Sequence, residues 1–141
     1  MENIQTIKKE LKTVRKNNGL KKSTPVAFMI HGNLGLESIA LNVAEAYERK
    51  MSSYGKLYTG DAMLLKEQDE NPYTYPTFKE VNKTLKQMLE FGKEGIREGW
   101  LAVESLCKDI HLASEVIYSE KDNLIQIWTV PIMITEPIAE N

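Results

Sequence analysis

Val26-Ala27-Phe28-Met29-Ile30 is an unbroken apolar run, entered through Ser23-Thr24-Pro25 and left through His31-Gly32-Asn33-Leu34-Gly35. Turn-forming residues on both sides of a short apolar stretch mark a strand with neither face in water. Both faces then need cover, and the next segment offers one. Leu36, Ala40, Val43 and Tyr47 recur at helical spacing, widened by Ile39, Ala44 and Ala46, while Glu45, Glu48, Arg49 and Lys50 fall on the opposite side. This pattern predicts a helix running to about Met51, with small alanines that let it sit close to a sheet.

Upstream of the strand, Ile4, Ile7, Leu11 and Val14 share one side of a short helix, which Asn17-Asn18-Gly19 ends because Asn and Gly tolerate the left-handed backbone. Arg15 and Lys16 stand in the last turn, where the helix dipole favours positive charge. A helix this short is marginal alone in water and must be docked through its four apolar residues. Residues 1–24 hold seven basic groups (Lys8, Lys9, Lys12, Arg15, Lys16, Lys21, Lys22) and two acidic ones, Glu2 and Glu10, a net +5 in a chain of net charge −2. Such an asymmetry marks either a basic contact surface or a helix resting on an acidic body.

Downstream, Lys56 to Leu65 contains strand-like material interrupted by Gly60-Asp61, and the stretch from Lys66 to Pro76 reads as exposed loop. Thr77, followed three residues later by Glu80, forms a capping box that starts a helix. Apolar or small positions then continue at spacings of 3 and 4 from Phe78 to Ile110, which predicts one long helix. Gly92, Gly95 and Gly99 oppose it, each costing about 1 kcal/mol in a helix interior. Close packing of another backbone against these glycines is the expectation, with a break near Gly92–Gly95 as the alternative. Glu115 to Tyr118, the turn residues 119–123 and Leu124 to Val130 read as a C-terminal β-hairpin, its second strand apolar on both faces. Pro131 ends that strand, and residues 135–141 are expected to form a flexible tail.

The fold class is therefore α/β or α+β: a single small domain over 1–141, a three- to five-stranded mixed sheet packed by three helices, with the C-terminal hairpin. The length of 141 residues suits one domain, and 42% apolar against 27% charged residues is an ordinary globular mix. Cys107 is the only cysteine, so no internal disulfide forms, and the simplest reading is a reduced thiol in a cytoplasmic protein. No stretch approaches the roughly 18 apolar residues of a membrane helix, and no apolar core follows the N-terminal lysines as in a signal peptide.

No complete catalytic, metal or nucleotide motif occurs, and no cofactor or metal is expected. The loop after the first strand is one candidate site: Gly32, Asn33, Gly35 and Glu37 as ligand contacts at the predicted strand-to-helix turn, where free backbone N–H groups bind anions. His31 would act there as a general base with Asp61, provided the first two strands are parallel neighbours and end on one edge. Protein–protein contact has the broadest support. Tyr73, Tyr75, Gly92, Gly95, Gly99, Trp100 and Trp128 are the interface candidates, because tyrosine and tryptophan dominate interface centres and glycines allow close approach. Lys8, Lys12, Arg15 and Lys16 are candidates for contact with nucleic acid or an acidic partner. The reading that follows is a small regulatory or adaptor protein acting by protein–protein interaction as a homo-oligomer. The alternatives are a small-ligand binder or enzyme around His31 and Asp61, and a nucleic-acid-binding protein. Whether the chain is an enzyme is not decided by its sequence.

Overall fold

In the computed structural model of the protein, the apolar run opens β1 (Val26–Gly32), with Val26, Ala27 and Phe28 fully buried and Met29 and Ile30 nearly so. The structure describes residues 3–32, 35–39, 41–51, 60–67, 75–91, 100–104 and 110–131, with side chains at 3–30, 75–90, 101–103 and 111–131. The elements in chain order are α1 (Ile4–Asn17), β1, β2 (Gly35–Ile39), β3 (Leu41–Met51), β4 (Gly60–Glu67), α2 (Phe78–Phe91), β5 (Trp100–Glu104), β6 (Ile110–Ser119) and β7 (Leu124–Pro131). The strands form one sheet in the order β2-β1-β7-β6-β5-β4-β3. β1 runs parallel to β7 and β4 parallel to β5, while every other neighbouring pair is antiparallel, so the sheet is mixed. Four strands, β1, β7, β6 and β5, form its centre and supply all the described strand side chains of the core.

Both helices start and stop for local reasons. Asn3 caps α1, its side-chain oxygen accepting the Thr6 N–H at 2.7 Å. At the other end Gly19 takes φ +59°, the Leu20 N–H donates to the Arg15 carbonyl and the Gly19 N–H to the Lys16 carbonyl. That pair of bonds is the Schellman arrangement, which satisfies carbonyls the helix leaves open. In α2 the capping box forms as the sequence predicts: the Thr77 N–H donates to the Glu80 carboxylate at 3.0 Å and the Glu80 N–H to Thr77 Oγ1 at 3.3 Å. The next two open donors are met by backbone, Phe78 N–H to the Thr24 carbonyl and Lys79 N–H to the Lys22 carbonyl. The start of α2 is thus stitched to the entrance of β1.

α1 and α2 pack against each other and on one face of the sheet. Ile4, Ile7 and Leu11 from α1, and Phe78, Val81, Leu85 and Met88 from α2, meet Val26, Phe28, Ile30, Leu101, Val103, Ala113, Val116, Ile125 and Ile127 in one core. The alternation along β1 and β7 selects this set, since every second side chain points to the same face. All four apolar residues that predict the docking of α1 are in place, with Val14 and Leu20 half-buried at the margin of the core.

Two helical expectations are corrected. Gly35–Ile39 and Leu41–Met51 are the strands β2 and β3 rather than parts of a helix. β2 returns antiparallel along β1, Gly32 opposite Gly35 and Phe28 opposite Ile39, and so satisfies backbone groups on the side of β1 away from β7. Sheet pairing of this kind overrides the helix propensity of an alanine-rich stretch. The helix that begins at Phe78 ends at Phe91, immediately before Gly92, and Trp100–Glu104 is β5, parallel to β4. The 3-and-4 spacing that ran on to Ile110 coincides there with a period of two, in which Leu101 and Val103 enter the core together. The described residues therefore contain two helices, not three. Residues 92–99 and the tail 135–141 lie outside the described residues.

Candidate functional site

The second face of the central strands carries no described helix. Ala27, Met29 and Leu124 form a small buried cluster on it, with Tyr75 and Trp128 packed half-buried against them. The sheet register extends the set. Trp128 lies opposite Met29 on β1 and opposite Glu115 on β6; Gln126 lies opposite Ala27 and Ile117; Val130 lies opposite Leu112. Paired residues share a face, so Ile117, Gln126, Trp128 and Val130 belong to one surface. Ile117 and Val130 are 40% and 38% exposed, the large hydrophobic side chains most open to water among the described residues.

Local structure fixes the two aromatic members. The Trp128 indole N–H donates to Gln126 Oε1 at 3.1 Å, so both polar groups are satisfied without burying the ring completely. A register shift between Ala113 and Glu115 lets Ser114 Oγ donate to the Trp128 carbonyl at 3.0 Å. Thr129 Oγ1 donates to the Met29 carbonyl at 2.9 Å and ties β7 to β1. Tyr75 arrives from outside the sheet. The Val26 N–H donates to the Pro76 carbonyl at 2.8 Å, and Pro25 bridges Thr77 antiparallel, which holds the segment before α2 alongside β1. Tyr75 and Trp128, distant in sequence, thus meet on one cluster. Among the residues of β6 and β7 on this surface, Glu115 is the one that is charged.

The other candidates are placed differently. His31 lies next to the end of β1 and Asp61 next to the start of β4. These strands point the same way but are separated by β7, β6 and β5, four interstrand steps, or about 19 Å along the sheet. The two strands are not neighbours, and the structure does not bring His31 and Asp61 together on one edge. Gly32 and Gly35 join strand to strand, with Glu37 opposite Ile30 on β2, so the expected helix N-terminus is not at this turn. Trp100 opens β5 opposite Ala62, on a strand rather than a helix. Asn33, Tyr73, Gly92, Gly95, Gly99 and Cys107 lie outside the described residues. Among the described residues no group of three or more His, Cys, Asp or Glu gathers as a metal site, and no helix is long and apolar enough to cross a membrane.

Lys8, Lys12, Arg15 and Lys16 are on α1, and the tertiary structure gives them company. The Arg15 guanidinium lies 5.0 Å from the centre of the Phe78 ring at the start of α2, a cation–π contact, and donates to the Leu20 carbonyl. Burial holds the Lys8 ammonium below the usual lysine range. A hydrogen bond and repulsion from Lys12, then repulsion from Lys86 of α2, act in the same direction.

The alternation of the last strand already puts Gln126 and Val130 on the face of Trp128, but sequence reasoning missed Ile117 as a surface-forming residue, although the alternation Val116-Ile117-Tyr118 carries the signal: Val116 and Tyr118 face the helices. It also missed Lys86, whose neighbours lie some 75 positions away in the chain. Comparison with known proteins returns no match to any family model, curated protein or solved structure.

Proposed function

We propose that this protein works by binding other macromolecules, first of all a second copy of itself, through the helix-free face built around Tyr75, Trp128, Ile117 and Val130. A regulatory or adaptor role fits such a molecule. The observation that carries the reading is the placement of two half-buried aromatic residues and two exposed aliphatic ones on one face of the sheet. Aromatic anchors in a partly open apolar surface are the usual centre of an interface. Two sheets packing face to face across about 10 Å would bury this surface on both copies. On β6 and β7 Glu115 alone brings charge to it, so two copies packed over those strands meet with little repulsion.

The test is the native mass of the purified protein beside that of an Ile117→Lys/Val130→Lys double variant. Both positions are exposed, so the variant should keep its fold and melt within about 1 kcal/mol of wild type. The expected result is an oligomer that becomes a monomer in the variant. A wild-type protein that stays monomeric at tens of micromolar, or an oligomer indifferent to both lysines, would overturn the reading.

A further inference from the structure

The opposite side of the molecule is chemically distinct. α1 and α2 lie antiparallel: Arg15, near the end of α1, sits over Phe78 at the start of α2, and Lys8, nearer the start of α1, feels Lys86 late in α2. Lys8 and Lys12 are one turn apart on α1, and Lys79, Lys83 and Lys86 follow one another at spacings of 4 and 3 on α2, all three exposed. The Lys79 N–H donates to the Lys22 carbonyl, which brings the lysines after α1 to the start of α2. Residues 3–24 and 78–91 together hold ten basic groups against three acidic ones, a net +7, which leaves −9 for the remainder of the chain. The charge asymmetry of the first 24 residues is therefore one half of a larger basic layer that only the packing of two helices completes.

We infer that the outer surface of the α1–α2 layer, centred on Lys8, Lys12 and Lys86 and continued by Lys79 and Lys83, binds the phosphate backbone of a nucleic acid. Charge complementarity is the argument. Packing of α1 against α2 sets exposed Lys12 on one helix beside exposed Lys79, Lys83 and Lys86 on the other, with Lys8 repelled by Lys12 and Lys86, and a row of phosphates offsets that positive charge while releasing its own counterions. A 14-residue helix is about 21 Å long, which matches about six base pairs of duplex. Lysines contact phosphates as point charges, and the described side chains of this band, residues 3–24 and 78–90, offer no exposed aromatic ring on which a base could stack. The recognition is of backbone, not of sequence. Glu90, 4.0 Å from Lys86, is the acidic group that competes with the ligand.

The experiment measures binding of the full chain to a 20-base-pair duplex of arbitrary sequence between 50 and 200 mM salt, with anionic phospholipid vesicles as the competing surface. With about four phosphates engaged, affinity should fall roughly 100-fold across that range and be insensitive to sequence. Lys12→Glu and Lys86→Glu should each weaken binding about tenfold or more and flatten the salt dependence, with no loss of melting temperature, and Lys86→Arg should bind like wild type. Glu90→Gln should strengthen binding. No binding at 50 mM salt would overturn the inference, as would Lys86→Glu binding like wild type, or vesicles being bound while the duplex is not.

Discussion

The two faces of the same strands have different fates. On the helix side, Val26, Phe28, Ile125 and Ile127 are fully buried under α1 and α2. On the other side, residues one position along the same strands form a smaller cluster, and Trp128 beside Ile127 stays half-buried. Apolar character alone does not separate the two sets. What separates them is the cover that the chain itself supplies: two helices with complementary stripes on one side, and on the other the single ring of Tyr75 among the described residues. The helix side is where buried apolar surface concentrates, and the other side is where apolar side chains, Ile117 and Val130, stay open to water.

The largest effect that would break this comparison is in the core. Phe28→Ala should cost about 3–5 kcal/mol, seen as a lowered denaturation midpoint, because Phe28 is fully buried between sheet and helices. The lysine double variant at Ile117 and Val130, one strand face away, should change assembly and barely change stability. Equal destabilisation by the two changes would erase the distinction between the faces. Next in size is Thr77→Ala, which removes both the acceptor for the Glu80 N–H and the hydroxyl bonded to the Glu80 carboxylate at 3.0 Å. It should cost about 1 kcal/mol and loosen the helix side only, leaving native mass unchanged.

The smallest effect sharpens the charge contrast. Burial and the neighbouring Lys12 and Lys86 lower the Lys8 pKa in the folded protein, so its protonated form opposes folding. That penalty is present in full below the folded pKa and disappears as pH rises toward the ordinary value of 10.5. Lys8→Gln should therefore raise the melting temperature slightly at neutral pH and low salt. The gain should shrink with added salt and vanish above the ordinary lysine pKa. A melting temperature lowered at neutral pH would mean that Lys8 stabilises the helix pair instead.

Much of the helix side was legible residue by residue. The spacing of Ile4, Ile7, Leu11 and Val14 located α1 and its buried face, and Thr77 with Glu80 located the start of α2. The double apolar pattern of Leu124–Val130 marked a strand needing cover on both sides, and Trp128 was already an interface candidate. The stretch 35–51 was not legible, because Leu36, Ala40, Val43 and Tyr47 fit a helical stripe. Only the need of β1 and β4 for paired neighbours decided for strands. The end of α2 was half legible: the glycines signalled a break that the continuing period concealed. The pairing of His31 with Asp61 assumed a strand adjacency that the order of the sheet does not contain.

The sequence by itself determined what short-range physics can determine: helix caps, the left-handed stop at Gly19, buried stripes and the excess of positive charge near the start. These depend on residues within a turn or two of one another, whose spacing is fixed by backbone geometry. The tertiary structure alone decided which strands are neighbours, that Tyr75 and Trp128 pack on one cluster, and that Lys86 acts on Lys8 together with Lys12. Those outcomes depend on contacts between residues far apart in the chain, where covalent spacing sets no distance and the competition among pairings is settled by total burial and hydrogen-bond satisfaction.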